Sequence, residues 1–418
     1  MISSMRQVDK LPELVLPAGD LEKLYTAIAF GADAVYAGGH QYSLRAYAGN
    51  LSLPELRTGV SWAHQQGKRV YVTVNIFAHN EDLKGLPAYL EELAQIGADG
   101  LIISDPGVIR LARRYAPSLP ITISTQANVT NYEAAAFYRD LGARRIVAAR
   151  ELSLDEIRII KERTGLEIEM FVHGAMCVSY SGRCLLSSFM TGRSANRGEC
   201  AHPCRYKYAL VEEKRPGQYF PLHEDQRGSY ILNSRDLCLL EELPRLAEAG
   251  VDAFKIEGRM KSPLYVAVVA RVYREALDDY RKGTFNDPAK LDQWLSQLQA
   301  VATRPFTPGF IDGHDDQLQD PTNSKNQNRA EFCGMVQGYD AERSLIQVEQ
   351  RANFGPGDPL WLLAPQEGPI QVQLEHLYDS EGQEIDRARH ARQQVYIPFD
   401  RPVGKYSILY RLREEQHE

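Results

Sequence analysis

Short runs of apolar and β-branched residues, each bounded by turn-forming residues, alternate with stretches of helical spacing along most of the chain. That is the pattern of parallel strands buried on both faces and covered by helices. Eight such runs are legible: Glu13–Leu16, Asp33–Ala37, Arg69–Val74, Gly100–Ser104, Ile121–Thr125, Arg145–Ala148, Glu167–Val172 and Ala253–Ile256. Four of them follow a glycine, Gly31, Gly97, Gly142 or Gly250, placed to close a helix in the left-handed conformation. Asp20 is placed to cap the first helix ahead of Leu21, Leu24, Ala27 and Ile28. The rhythm predicts an α/β fold, a TIM-like (β/α)8 barrel; an open doubly wound sheet gives similar local signals and is the alternative.

The rhythm then breaks. About 60 residues separate Val172 from a helical run starting near Arg235, where such connections usually take two to six. An insertion of that length on the face of a barrel that carries active sites is expected to be functional. Pro263–Tyr280 reads as the last barrel helix, with Leu264, Val268 and Val272 on one stripe. Three prolines in Arg304–Asn328 mark a linker. From about Ala330 the pattern changes to strict alternation, as in Ser344-Leu-Ile-Gln-Val-Glu-Gln350, and Phe354-Gly-Pro-Gly-Asp358 supplies a clear turn. The expected organisation is a barrel over residues 1–285 with a Cys-rich insertion at 174–234, a linker at 286–329 and a small β-barrel domain at 330–418.

Composition changes this picture little. With 418 residues, 44% hydrophobic and 25% charged, the chain has the mixture and length for one barrel and a smaller domain. The opening MISSMRQVDK carries charges where a secretory leader needs an apolar run, and no stretch approaches the roughly 18 apolar residues of a membrane helix. A cytoplasmic protein with no membrane partner is expected, and in that reducing setting its six cysteines are thiols or metal ligands rather than disulfides. A net charge of −7 excludes a surface basic everywhere. Between Cys177 and Tyr208, however, Arg183, Arg193, Arg197, Arg205 and Lys207 meet a single acid, Glu199. This stretch is a solvated loop or a contact for an anion or an RNA backbone.

Barrel sites form at the C-terminal ends of the strands. Here those ends are polar: Gly38-Gly39-His40, Asn75, Asp105, Gln126, Arg150-Glu151, His173 and Glu257-Gly258-Arg259. Any one of them can be a helix cap or a packing residue, but their convergence on one rim points to a ligand site. Arg45, Arg150, His173, Glu257 and Arg259 are the candidate substrate-binding residues, the arginines because guanidinium pairs well with carboxylate or phosphate.

Five of the six cysteines fall within the insertion or just after it, spaced C-x6-C-x15-C-x3-C over Cys177, Cys184, Cys200 and Cys204, with Cys238 following. Neither paired zinc knuckles nor a ferredoxin run is present. Iron–sulfur, zinc, a nucleophilic cysteine and structural thiols all remain open on spacing alone. Cys238 is read as lying near a helix N-terminus, where the dipole favours the metal-binding thiolate. A nucleophilic Cys177 would need a base, for which His173 is nearest in sequence; no H-E-x-x-H or G-x-S-x-G occurs.

The segment Glu169-Met-Phe-Val-His-Gly-Ala-Met-Cys177-Val-Ser-Tyr-Ser-Gly-Arg-Cys184-Leu-Leu-Ser187 resembles the signature of the U-32 peptidase family, also called collagenase-like. Leu16-Pro-Ala-Gly-Asp20, Ala34-Val-Tyr-Ala-Gly-Gly39, Ser43-Leu-Arg45 and Lys255-Ile-Glu-Gly-Arg259 extend the likeness over residues 11 to 285, and the β-rich tail also suits family members. Branches of that family hydroxylate the tRNA wobble uridine, a 23S ribosomal RNA cytidine, or ubiquinone precursors. The resemblance implies a [4Fe–4S] cluster on Cys177, Cys184, Cys200 and Cys238, with Cys204 as the alternative ligand and zinc as the alternative metal. It also implies prephenate as hydroxyl donor and, from length and tail, closest kinship to the branch whose partner is tRNA and whose product is 5-hydroxyuridine. Peptidase activity, and an accessory role beside a protein partner from the same family, are the competing expectations.

Overall fold

The computed structural model describes residues 10–44, 49–176, 179, 184, 186–193, 195, 199–205, 209–211, 219–221, 235–313, 327–365 and 367–413. The eight predicted runs all form strands: β1 (Glu13–Ala18), β2 (Ala34–Gly38), β3 (Arg69–Val74), β4 (Gly100–Ile103), β5 (Ile121–Ile123), β6 (Arg145–Val147), β7 (Glu167–Ala175) and, after the short strands β8 (Ala209–Val211), β9 (Tyr219–Pro221) and β10 (Asp236–Cys238), β11 (Ala253–Ile256). They pair in parallel in sequence order, and β11 pairs with both β1 and β7. The barrel is therefore closed, and the open-sheet alternative is excluded.

Around it run α1 (Leu21–Ala29), α2 (Leu53–Gln65), α3 (Leu86–Ile96), α4 (Pro106–Tyr115), α5 (Tyr132–Asp140), α6 (Leu154–Thr164), then, past α7 (Leu186–Thr191) in the insertion, α8 (Leu243–Glu248) and α9 (Pro263–Lys282). The Asp20 side chain accepts the Lys23 N–H at 2.8 Å, the expected cap. Gly31, Gly97, Gly142 and Gly250 all have positive φ, between 84° and 111°, where the chain turns from helix to strand.

The segment read as a linker is not bare. It contains α10 (Pro288–Val301), whose Trp294, Leu298 and Val301 are buried, and β12 (Phe306–Thr307), which pairs with β10. The Gln-rich composition hid this helix because its apolar residues are few, although they fall at i, i+4 and i+7.

Beyond it, β13 (Ala330–Asp340), β14 (Leu345–Gln350), β15 (Leu360–Ala364), β16 (Glu367–Val372), β17 (Gln394–Pro398) and β18 (Ile408–Leu412) form one antiparallel sheet with its own core around Cys333, Val336, Val348 and Leu409. This domain is fastened to the barrel flank. The Tyr25 ring of α1 lies 4.6 Å from Trp62 of α2 and 5.5 Å from Tyr406, between centroids. Arg351 donates to Glu22 at 2.6 Å, while Met335, Leu363 and Ile408 join the core that surrounds the barrel.

The lumen has two layers. Val15, Ala34, Tyr36, Tyr71, Ile102 and Ala253 supply its apolar filling. At the N-terminal end of the strands stands an ion-pair cluster. Arg145 reaches Glu13, Glu167 and Glu169 at 2.8, 2.9 and 3.0 Å, Arg69 reaches Glu13 at 2.7 Å, and Arg144 reaches Glu167 at 2.9 Å.

Candidate functional site

At the other end of the lumen the strand ends open into a cavity of about 260 Å³. Its hydrogen-bonding wall comes from Thr73, Asn75, Ser124, Thr125 and Gln126. Asn75 bridges two loops, donating to Gln126 Oε1 at 2.9 Å and accepting the Leu44 N–H at 3.1 Å. Leu44, Ile102, Val147 and Phe171 supply apolar surface, and Lys255 with Tyr36 forms the floor. The roof is the insertion, with Cys184, Cys200 and Cys204 all lining the space.

Of the candidate substrate-binding residues, three line the cavity. Arg259 is buried, donating to Ser43 Oγ at 3.0 Å, Thr73 Oγ1 at 3.3 Å and the Leu44 carbonyl at 3.1 Å, so it fixes the loop after β2 as well as facing the cavity. A Cβ on Gly38 would stand 2.2 Å from Arg259 Nη1, and only glycine leaves room for that guanidinium. Glu257 accepts the Tyr36 hydroxyl at 3.2 Å. Arg150 lies over the Phe171 ring, 4.0 Å from its centroid, and forms no ion pair with any described residue. Arg45 lies outside the described residues. Asp105 turns out to be a helix cap, accepting the Val108 N–H at 2.9 Å, and His40 is exposed away from the cavity.

His173 is a correction. Strict alternation from Glu169 and Phe171 would aim it into the lumen, but the pairing of β7 with β11 slips there: Phe171 faces Lys255, while His173 faces Ile256. The extra residue turns the imidazole out of the barrel. It packs among Tyr265, Tyr273 and Phe306, with Nδ1 3.3 Å from the Tyr273 hydroxyl. Burial, with help from the Lys261 charge, pushes its pKa down to about 3. A neutral imidazole walled in by aromatic rings does not line the cavity.

Cys238 is the second correction. It ends strand β10 rather than opening a helix; β10 runs antiparallel to the end of β7, with Cys238 opposite His173, and the next helix starts at Leu243. It therefore does not sit in the first turn of a helix, and burial pushes its thiol up to about 11. Its Sγ lies 3.9 Å from the Tyr273 hydroxyl and does not line the cavity. By contrast, Cys184 Sγ accepts the Leu186 N–H and Cys200 Sγ accepts the His202 N–H, each at 3.4 Å. Cys177 lies outside the described residues, and among the described residues no three His, Cys, Asp or Glu side chains are grouped closely enough to hold a metal. Of the basic stretch, Arg193 is exposed and donates to the Glu199 carbonyl at 3.0 Å; Arg183, Arg197, Lys207 and the Arg205 side chain lie outside the described residues.

The sequence reading missed Lys255. It is 3% exposed, its Nζ donates to Glu169 Oε1 at 2.6 Å, and it forms the cavity floor. The signal was available: a lysine inside one buried strand and a glutamate inside its neighbour.

The chain is thus a closed (β/α)8 barrel whose thiol-roofed, lysine- and arginine-lined cavity lies at the strand ends, the face on which such barrels carry their sites. The chain belongs to peptidase family U32: the model of "Peptidase family U32" matches residues 19–321 and that of its C-terminal domain residues 328–409. Among relatives, "tRNA hydroxylation protein P1" of Bacillus subtilis is 39% identical over 98% of this chain and 97% of its own. "tRNA hydroxylation protein P" of Escherichia coli is 37% identical over 96% of each. "23S rRNA 5-hydroxycytidine C2501 synthase" of Escherichia coli is 40% identical over 64% of this chain and 39% of its own.

Proposed function

We propose that this protein is a cytoplasmic RNA hydroxylase that acts on tRNA, forming 5-hydroxyuridine at the wobble position with prephenate as hydroxyl donor and a [4Fe–4S] cluster at the cavity roof. The observation that carries the reading is the meeting of three thiols with a cationic cavity in one barrel mouth. The names of the relatives with near-full coverage support the RNA substrate. The donor set fits a cluster: soft thiols are its ligands, and the sulfurs of Cys184 and Cys200 each accept a backbone N–H, as cluster-bound sulfurs do. Cys177, Cys184 and Cys200 would hold it with Cys238 as fourth ligand. Cys204 is the alternative, supported by its place in the cavity beside Cys184 and Cys200. Bound there, such a cluster would supply redox or Lewis-acid chemistry.

The chain's own residues do the rest. Arg150 and Arg259 bind carboxylate, the apolar walls exclude water, and the basic stretch from Arg183 to Lys207 meets RNA phosphates. The peptidase reading loses its nearest base, since His173 is buried outside the lumen.

Nucleoside mass spectrometry of tRNA from a deletion strain, complemented with variants, tests the reading. Wild type restores 5-hydroxyuridine, and Cys184→Ala and Cys200→Ala restore none and lose iron after anaerobic purification, whereas Cys333→Ala keeps both. Unchanged tRNA in the deletion strain overturns the substrate, and stoichiometric zinc without sulfide overturns the cluster.

A further inference from the structure

We propose that Lys255 anchors a carboxylate of a small dicarboxylate co-substrate at the cavity floor, with Glu169 as the residue that positions its ammonium. The inference rests on the hydroxylase reading in treating the cavity as a co-substrate site.

Charge counting sets Lys255 apart. In the cluster at the N-terminal end of the lumen, Arg69, Arg144 and Arg145 already match Glu13, Glu167 and Glu169 one for one. Lys255 bonds to Glu169 from the cavity side and is the surplus cation. Burial alone would raise the Glu169 carboxyl, but Lys255 and then Arg145 hold it below the usual range, so it is an anion that fixes where the ammonium stands. One of the three ammonium donors goes to Glu169. Above the floor the excess grows: among the described residues, Arg150, Lys255, Arg259 and Lys261 line the cavity with one acid, Glu257. Lys255 and Arg259 are the buried members of that set, and a buried cation favours an anion beside it.

The ligand class follows from Phe171. Lys255 Nζ stands 5.5 Å from its centroid and Arg150 Cζ 4.0 Å, so the two charges are at most 4.0 plus 5.5 Å apart. Lys255 also lies 4.3 Å from the Tyr36 centroid. Two cations on aromatic supports, with Ile102 and Val147 in the same wall, suit a compact molecule with two carboxylates on an apolar frame.

The test uses purified protein, tRNA from the deletion strain, and prephenate as the probe. Lys255→Met is expected to raise the KM for prephenate roughly 30-fold or more, with kcat and the KM for tRNA changed less than about threefold. Glu169→Gln should give a smaller rise, and Lys255→Arg should recover part of the loss. An active wild type whose prephenate KM is unmoved by Lys255→Met overturns the inference and leaves the hydroxylase reading intact. If wild type modifies no tRNA, that reading falls, and calorimetry with prephenate decides the inference alone: binding weakened by Lys255→Met sustains it, and equal binding or none overturns it. Should Lys255→Met fail to fold because Glu169 is left without its lysine, the double variant with Glu169→Gln removes both charges and takes its place.

Discussion

The two ends of the barrel lumen use the same residue types to opposite effect. At the N-terminal end of the strands, arginine and glutamate are matched within 3.0 Å, and Arg145 alone reaches three carboxylates. At the C-terminal end, Arg150 rests on an aromatic ring and pairs with no acid among the described residues, and Arg259 gives the three bonds named above to hydroxyls and a carbonyl. A guanidinium with its carboxylate in place is a plug; Arg150, resting on a ring and in no ion pair with a described residue, keeps its charge for a ligand. Lys255 stands on the border, tied to the first layer and facing the second.

The largest effect is expected from breaking the plug. Arg145→Met leaves Glu13 and Glu169 buried without their shared cation and should cost about 3–5 kcal/mol in chemical denaturation. A loss below about 1 kcal/mol would mean that the two ends do not differ as described. Next comes the open end. Arg150→Gln should raise the KM for the acidic co-substrate about 10- to 100-fold while shifting stability by no more than about 0.5 kcal/mol, because it breaks no ion pair. A stability loss as large as that of Arg145→Met would make Arg150 a structural residue.

The smallest effect is one of pH. Glu169 titrates below its ordinary value of 4.5: burial opposes its charge, and Lys255 and Arg145 together overcome that. A depressed carboxyl pKa gives stability that is complete above 4.5 and is lost as pH falls through the folded value. Thermal scans from pH 7 to 3 should therefore show this loss only in the acid limb, and Glu169→Gln should flatten that limb.

Periodicity revealed the scaffold because strands buried on both faces must be apolar and helices must end where the chain turns. All eight strands, the Asp20 cap and the four closing glycines were legible for that reason. Faces were less legible than elements. A register slip cannot be read from composition, so the sequence offers His173 as a rim residue although it points out of the barrel. Cys238 was placed by a helix start that lies at Leu243. Lys255 was visible but read as part of a motif, since a charge in a buried strand gains meaning only when its partner on the neighbouring strand is known. Asp105 shows the converse, a polar strand end that only caps a helix.

The fastening of the C-terminal domain has a consequence in time. Tyr406 covers a barrel flank built by Tyr25 and Trp62, residues made far earlier. At about 5–20 residues per second, a ribosome needs roughly 20–70 seconds to travel from Trp62 to Tyr406. The barrel can close as soon as β11 meets β1 and β7, yet its aromatic flank waits bare until Tyr406 has been made. Strands made late cover helices made early, and during that interval the nascent chain carries a sticky face that a chaperone is suited to shield.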